Sequence, residues 1–261
     1  MSGMPKTTAR RNSKPPRLQA AGTSAVRNRG QQVEPISERR TQIIKTSSRL
    51  FADYGFETTS MRQIADEVSL LPGSIYHHFD TKEDILHAIL REPLKRFSQD
   101  ILSISQLPVD AEHRLVASEL MRFYRYIREW EVYAIILHDS KFFRRTKDFS
   151  YVQDAKSKAF RLLESILQEG VRSRLFHPNI DTYLMIGTTA RMLISTASWY
   201  RIGDIYSSNR PSKYDLDHVI DFQLDCTLRL IRTPSRLEEP IPRDTCERLI
   251  LSGTASQAAI E

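Results

Sequence analysis

Seven residues within one short stretch have the types and spacing to hold a nucleic acid: Ser60, Arg62, Gly73, Ser74, Tyr76, His77 and Lys82. A duplex offers two kinds of target. Its phosphates accept hydrogen bonds from hydroxyl, guanidinium and ammonium groups and from backbone N–H groups at helix starts. Its major groove admits one helix, whose leading residues must be small or polar to reach base edges. Gly73 and Ser74 allow close approach to the groove, and Tyr76 and His77 bring donors for bases or phosphates. Ser60, Arg62 and Lys82 suit phosphates. Ile75 and Phe79, four apart, would lock the segment onto its own domain. His77, His78 and Asp80 do not make a metal site, because consecutive helical positions point about 100° apart. His78 reads as packed and His77 as groove-facing.

Those side chains need short helices to carry them. Ile43, Ser47, Leu50, Phe51 and Tyr54 share one helical face, and Gly55 follows as a stop. Ser60 with Gln63 is a capping box that opens a second helix through Met61, Ile64, Ala65 and Val68. Pro72 suits the first position of a third helix running to Phe79. Thr81 with Asp84 opens a fourth through Ile85, Leu86, Ile89, Leu90 and Leu94, with a kink expected at Pro93. Three short helices with a tight turn before the third make a helix-turn-helix between about Ser37 and His87. Helical spacing continues over residues 115–137, 149–175, 181–200 and 214–231, and strand alternation is missing. The class is all-α, with an N-terminal three-helix DNA-binding domain joined to a larger helical domain. The expected divisions are a disordered basic arm over 1–35, the helix-turn-helix over 36–82, the helical domain over 83–232 and a loose tail over 233–261. A short helix near Cys246–Leu251 would interrupt that tail.

The 261-residue chain carries 38 Lys and Arg against 32 Asp and Glu, a formal net charge of +6. Residues 1–45 hold ten basic and two acidic residues, which leaves the remainder at −2. A basic end on a near-neutral body points to a polyanionic partner at that end, or to a solvated tail without one. Two cysteines, Cys226 and Cys246, make neither a disulfide framework nor a metal cluster, which fits a reducing cytoplasm. No apolar run reaches the roughly 18 residues of a membrane span. The N-terminus lacks the apolar core of a secretory signal, while its Arg- and Ser-rich character leaves a mitochondrial presequence open. Gly-rich phosphate loops, nucleophile elbows and His-Glu metal motifs are missing, so neither catalysis nor a cofactor is expected.

Tyr54-Gly55-Phe56, residues 58–65, Gly73-Ser74-Ile75-Tyr76-His77-His78-Phe79 and Lys82-Glu83 resemble the DNA-binding domain of TetR-type regulators in order, spacing and type. The likeness spans roughly residues 38–90. It implies that Ser60, Arg62, Gly73, Ser74, Tyr76, His77 and Lys82 contact double-stranded DNA. It also implies helices around an apolar pocket, and a homodimer paired through the last two long helices. Two departures stand out. Ser69 occupies a turn position where the family usually has Gly, and Leu71 stands where Ser or Thr often caps the third helix. Packing of Leu70 and Leu71 would then hold the turn. Further on, Gly170 is present, but Arg174 occupies a second site, ahead of Phe176-His177-Pro178, where members often carry Gly. Phe149-Ser150-Tyr151 with Trp199-Tyr200-Arg201 is similar to repressors of steroid-ring and fatty-acyl catabolism, which respond to acyl-CoA thioesters.

Phe123, Tyr126, Trp130 and Tyr133 step by three and four residues, a stripe that serves either as core or as a ligand wall. The polar tips of Tyr126 and Trp130 are what a ligand would use. With Ile127 and Arg191 these form the candidate effector site. Arg191 suits an acidic effector group or a CoA phosphate, or equally a rim or interface ion pair. Together these features point to a cytoplasmic DNA-binding repressor, released from a palindromic operator by a small apolar or acyl-CoA-type effector. An effector-free architectural or division-linked DNA-binding protein of the same fold, and a small all-α enzyme, are the alternatives.

Overall fold

A computed structural model describes residues 36–202 and 215–253; apart from one isolated bridge between Phe176 and Arg232, the described elements are helical. The arm expected over residues 1–35 and the last eight residues of the expected tail lie outside the described residues. No described helix is long and apolar enough to cross a membrane.

Helix α1 (Ile36–Tyr54) buries Ile43, Ser47 and Phe51 on one face, as their spacing requires. It stops at Gly55, at φ +92°, where an added Cβ would lie 2.6 Å from His138 Cε1. Helix α2 (Met61–Glu67) opens on the expected box: the Gln63 N–H donates to Ser60 Oγ at 3.2 Å and the Ser60 N–H to Gln63 Oε1 at 2.7 Å. In place of a third α-helix from Pro72 to Phe79 there is one 3₁₀ turn, Ser74–His77. Few residues lie between the turn after α2 and the cap at Thr81. That leaves too little length to repay helix nucleation, and the segment closes with tighter bonds such as His78 N–H to Ile75 O at 3.0 Å. Helix α3 (Lys82–Ser105) starts at the Thr81–Asp84 box and continues through Pro93 to Ser105.

The single stretch expected over 115–137 is divided. Helix α4 (Ala111–Arg128) ends at Glu129, and α5 (Trp130–His138) ends at the buried Asp139. Then come α6 (Ser140–Arg145), α7 (Ser150–Arg172), α8 (Thr182–Ile202) and α9 (Leu216–Ile231). The part of the expected loose tail that is described is ordered instead. Helix α10 (Arg243–Gly253) packs on α4 with Cys246 and Ile250 buried, and Arg243 ties it to α9 through Asp221 at 2.8 Å.

Helices α2 and α7 end alike. After α2 the Leu70 N–H donates to Ala65 O at 2.8 Å and the Ser69 N–H to Asp66 O at 3.1 Å, with Ser69 at φ +56°. After α7 the Leu175 N–H donates to Gly170 O at 2.9 Å and the Arg174 N–H to Val171 O at 3.1 Å, with Arg174 at φ +60°. Both are Schellman turns, whose left-handed residue is usually Gly. They fall at the two positions where the family resemblance leads one to expect glycine. The turn after α2 is therefore held by backbone pairing and by the half-buried Leu70, which packs on the core, while Leu71 is 77% exposed.

Two cores result. One joins α1, α2, the 3₁₀ turn and the start of α3 to Ile135 of α5, Phe143 of α6 and Phe149. The other lies among α3, α4 and α7–α10. The first runs across the division expected at residue 82, so α1, α2 and the 3₁₀ turn rest directly on α5–α7.

Candidate nucleic-acid interface and internal cavity

The 3₁₀ turn sorts its side chains by depth. Ile75 is fully buried and Phe79 nearly so, with the Arg40 guanidinium 4.2 Å from the Phe79 ring centroid. Between these anchors Tyr76 (53% exposed) and His77 face outwards, and Ser74 is half-buried. A Cβ built on Gly73 would meet nothing within 4 Å, so the backbone there is open to close approach. Ser60 and Arg62 are exposed on the first turn of α2. The Arg62 side chain, 82% exposed, touches Asp66 only at 4.0 Å, a pairing worth little in water. Six of the seven expected DNA contacts thus lie on or beside α2 and the 3₁₀ turn, and five of them are exposed. His78 is half-buried, with its Nδ1 unpartnered.

Lys82 departs from expectation. Its ammonium points inwards, donating to Phe56 O at 2.6 Å and Thr59 O at 2.8 Å, and lies 4.4 Å from the Phe56 ring centroid. Desolvation lowers its pKa, against the pull of Glu83, Glu57 and Asp139. The side chain is a strut that fixes the 55–59 turn against the start of α3, rather than an ammonium free to meet a phosphate.

A cavity of about 250 Å³ lies between α3, α4, α5, α7 and α8. Of the residues expected to bind an effector, Tyr126 lines it. Phe123 is buried in the core beside it, Ile127 and Trp130 are half-buried away from it, and Arg191 stands exposed on α8. The break at Glu129 explains the difference. It re-aims the chain after Tyr126, so Trp130 leaves the stripe and Tyr133 rejoins it, its ring edge-on to Tyr126 with centroids 4.1 Å apart. Two cations on the wall went unread in the sequence: Arg122, deep inside, and Lys156, on the solvent side. A visible signal existed for the first, since Glu119 and Arg122 stand three apart among the buried residues of α4. Burial raises the pKa of both Tyr126 and Tyr133, so their phenols stay protonated and act as neutral hydrogen-bonding groups. Desolvation, and then the nearby Arg144 and Arg191, lower that of Lys156.

Helix α5 connects the two sites. Tyr133, Ile136 and Leu137 line the cavity. One residue past the helix end, Asp139 Oδ2 accepts the Phe56 N–H at 3.0 Å, while the His138 ring lies against Gly55. Lys82 then joins Phe56 to Thr59, the residue before the α2 cap.

Comparison with known proteins fits this geometry. Residues 43–89 match the model for bacterial regulatory proteins of the tetR family. The HTH-type transcriptional repressor KstR2 of Rhodococcus jostii is 30% identical over 71% of this chain and 91% of its own length. The solved ketosteroid transcriptional regulator KstR2 of Mycobacterium tuberculosis superposes with a TM-score of 0.67 at 24% identity, covering 77% of this chain and 97% of its own. AibR, solved in complex with isovaleryl coenzyme A and operator DNA, superposes with a TM-score of 0.56 at 23% identity, over 72% of this chain and 97% of its own. At those identities the two structures speak for the fold.

Proposed function

This chain belongs to the TetR family and is a DNA-binding transcriptional regulator; on that premise we propose that it is a cytoplasmic homodimeric repressor released from a palindromic operator by an acyl-CoA thioester. Two copies of the Gly73–His77 segment enter successive major grooves, roughly 34 Å apart. Gly73, Ser74, Tyr76 and His77 face bases and nearby phosphates, and Ser60 and Arg62 hold flanking phosphates. Lys82 supports the interface from inside. The dimer forms through α8 and α9. Phe222, Cys226 and Leu230 make a stripe along α9 at four-residue steps, and both Phe222 and Leu230 are exposed.

The effector's apolar body occupies the cavity, and its anionic part rests outside near Lys156, Arg144 and Arg191. Such a ligand acts by favouring the conformation that binds DNA less well. The observation that carries this reading is the bond from Asp139 to the Phe56 N–H, made by the residue that follows a cavity-lining helix. Movement of α5 against a ligand reaches the α1–α2 turn through that contact.

The test uses the full chain and the DNA it retains from fragmented genomic DNA. Straight-chain and ring-bearing acyl-CoA thioesters are added while DNA affinity is followed by fluorescence anisotropy. A thioester that raises the melting point and weakens DNA binding about tenfold or more is expected. Asp139→Leu, which removes the acceptor of the Phe56 N–H, should keep thioester binding and lose most of the weakening. Thioesters that fail to bind, or bind without changing DNA affinity, would favour the effector-free architectural reading.

A further inference from the structure

We propose that Leu71 helps to read the operator by closing over a thymine C5-methyl group in the major groove, an apolar contact unlike the polar ones assigned to Gly73, Ser74, Tyr76 and His77. The inference rests on the groove-facing reading of the Gly73–His77 segment. Leu71 is the most exposed of the large apolar side chains described. Leu70 before it packs half-buried on the first core and Ile75 after it is fully buried, while Leu71 turns to water. The family resemblance leads one to expect Ser or Thr here, whose oxygen would accept an N–H at the start of the segment. Leucine has no such oxygen, and the Ser74 N–H donates to the Leu71 backbone carbonyl at 2.8 Å. The side chain thus serves neither the core nor the cap. Single exposed leucines are ordinary on protein surfaces; position distinguishes this one. It directly precedes Pro72 and the open backbone of Gly73, at the leading end of the segment, where a groove-entering element presents its base-reading residues. Its backbone is held on both sides. The Leu70 N–H donates to Ala65 O at 2.8 Å, and Pro72 fixes the next φ and keeps Leu71 out of the helical region. Little backbone freedom is therefore lost when the side chain docks.

Chemistry selects the target. A leucine side chain neither donates nor accepts a hydrogen bond, so it gains nothing from phosphates or from the polar edges of guanine, adenine and cytosine. Thymine alone presents an apolar group in the major groove, its C5-methyl. Closing a leucine over that methyl removes both from water, which at the usual transfer free energy is about fourfold in affinity per methyl. The contact displaces no counterions, so unlike Arg62 it leaves the salt dependence alone. Leu71 therefore adds a preference for thymine at one position of each half-site.

The test uses the full chain and the operator duplex selected from genomic fragments, with its thymines replaced one at a time by deoxyuridine, which pairs as thymine does but lacks the methyl. At one thymine in each half-site the replacement should weaken binding about fourfold. Leu71→Ser supplies a capping oxygen and removes an exposed apolar side chain, so it should keep the melting temperature and the salt slope of the parent. It should bind the thymine and deoxyuridine forms of that position equally. Deoxyuridine without effect at every position overturns the inference while leaving base reading by Tyr76 and its neighbours in place. So does a thymine preference that Leu71→Ser retains, because the methyl is then read by another group or through the shape of the duplex. If the selected duplex binds the parent no better than random sequence, the groove-facing reading falls and the inference falls with it.

Discussion

On α2, at the surface proposed to meet DNA, Arg62 stands in water with a carboxylate only at 4.0 Å. In the larger core Arg122, Arg125 and Arg232 are sealed in. Arg125 donates to Asp100 from two of its nitrogens, the Nε at 2.8 Å. Arg232 forks onto Glu112 at 2.7 and 3.1 Å, and Arg122 holds Glu119. Exposed charge contributes little to folding and is available to a polyanion. Buried paired charge costs desolvation, and it constrains which helix sits against which only while both partners remain. Substitutions in the two regions should therefore fail in different assays.

The largest expected effect is Arg125→Ala. It leaves the Asp100 carboxylate buried and unpaired and should lower stability by about 3–5 kcal/mol in urea unfolding. Arg62→Ala should leave stability unchanged, weaken binding to every DNA sequence and flatten the salt dependence by about one unit of slope. An Arg125→Ala protein as stable as the parent would erase the contrast.

Gly170→Ala comes next. An added Cβ would lie 2.1 Å from the Phe176 ring, so about 1–3 kcal/mol should be lost to overpacking, with DNA affinity per folded dimer preserved. Lys82→Met sharpens the boundary between the regions. Because its ammonium is spent on Phe56 and Thr59 carbonyls, about 1–2 kcal/mol of stability should go, with the salt slope retained. A reduced slope at unchanged stability would return Lys82 to the phosphate contacts.

The smallest effect concerns pH. His87 stacks on Phe149 with ring centroids 4.1 Å apart, where α3 meets the start of α7. Desolvation first, then Arg91, lowers its pKa below the usual 6.5. The folded state thus disfavours the imidazolium. The stabilisation is present above pH 6.5 and is lost as pH falls through the lower folded value. Melting points measured across that range should decline on the acid side, and His87→Phe should flatten the decline.

What was legible in the sequence follows the same divide. The Ser60–Gln63 and Thr81–Asp84 boxes and the stop at Gly55 depend on neighbours within a few residues, so reading along the chain finds them. The turns at Ser69 and Arg174 were reached only through the family resemblance, which expects glycine at both positions; the residue types themselves do not announce a left-handed turn. The cavity was not legible, because its wall is drawn from five helices and the break at Glu129 displaces Trp130 from the stripe. The contact of Asp139 with Phe56 spans 83 positions, and no local spacing announces it. For Lys82 the residue type suggested a phosphate ligand, but its direction is set by carbonyls that only the fold brings near.

The most direct test of the groove-facing segment is a DNA titration of Tyr76→Ala at fixed salt, comparing the selected operator with random duplex. Tyr76 lies outside the core and reaches past buried Ile75 and Phe79. Operator affinity should fall by about 1–3 kcal/mol, with random-duplex affinity and melting temperature nearly unchanged. Equal losses on both duplexes, or no loss on either, would contradict a reading role for the Gly73–His77 turn.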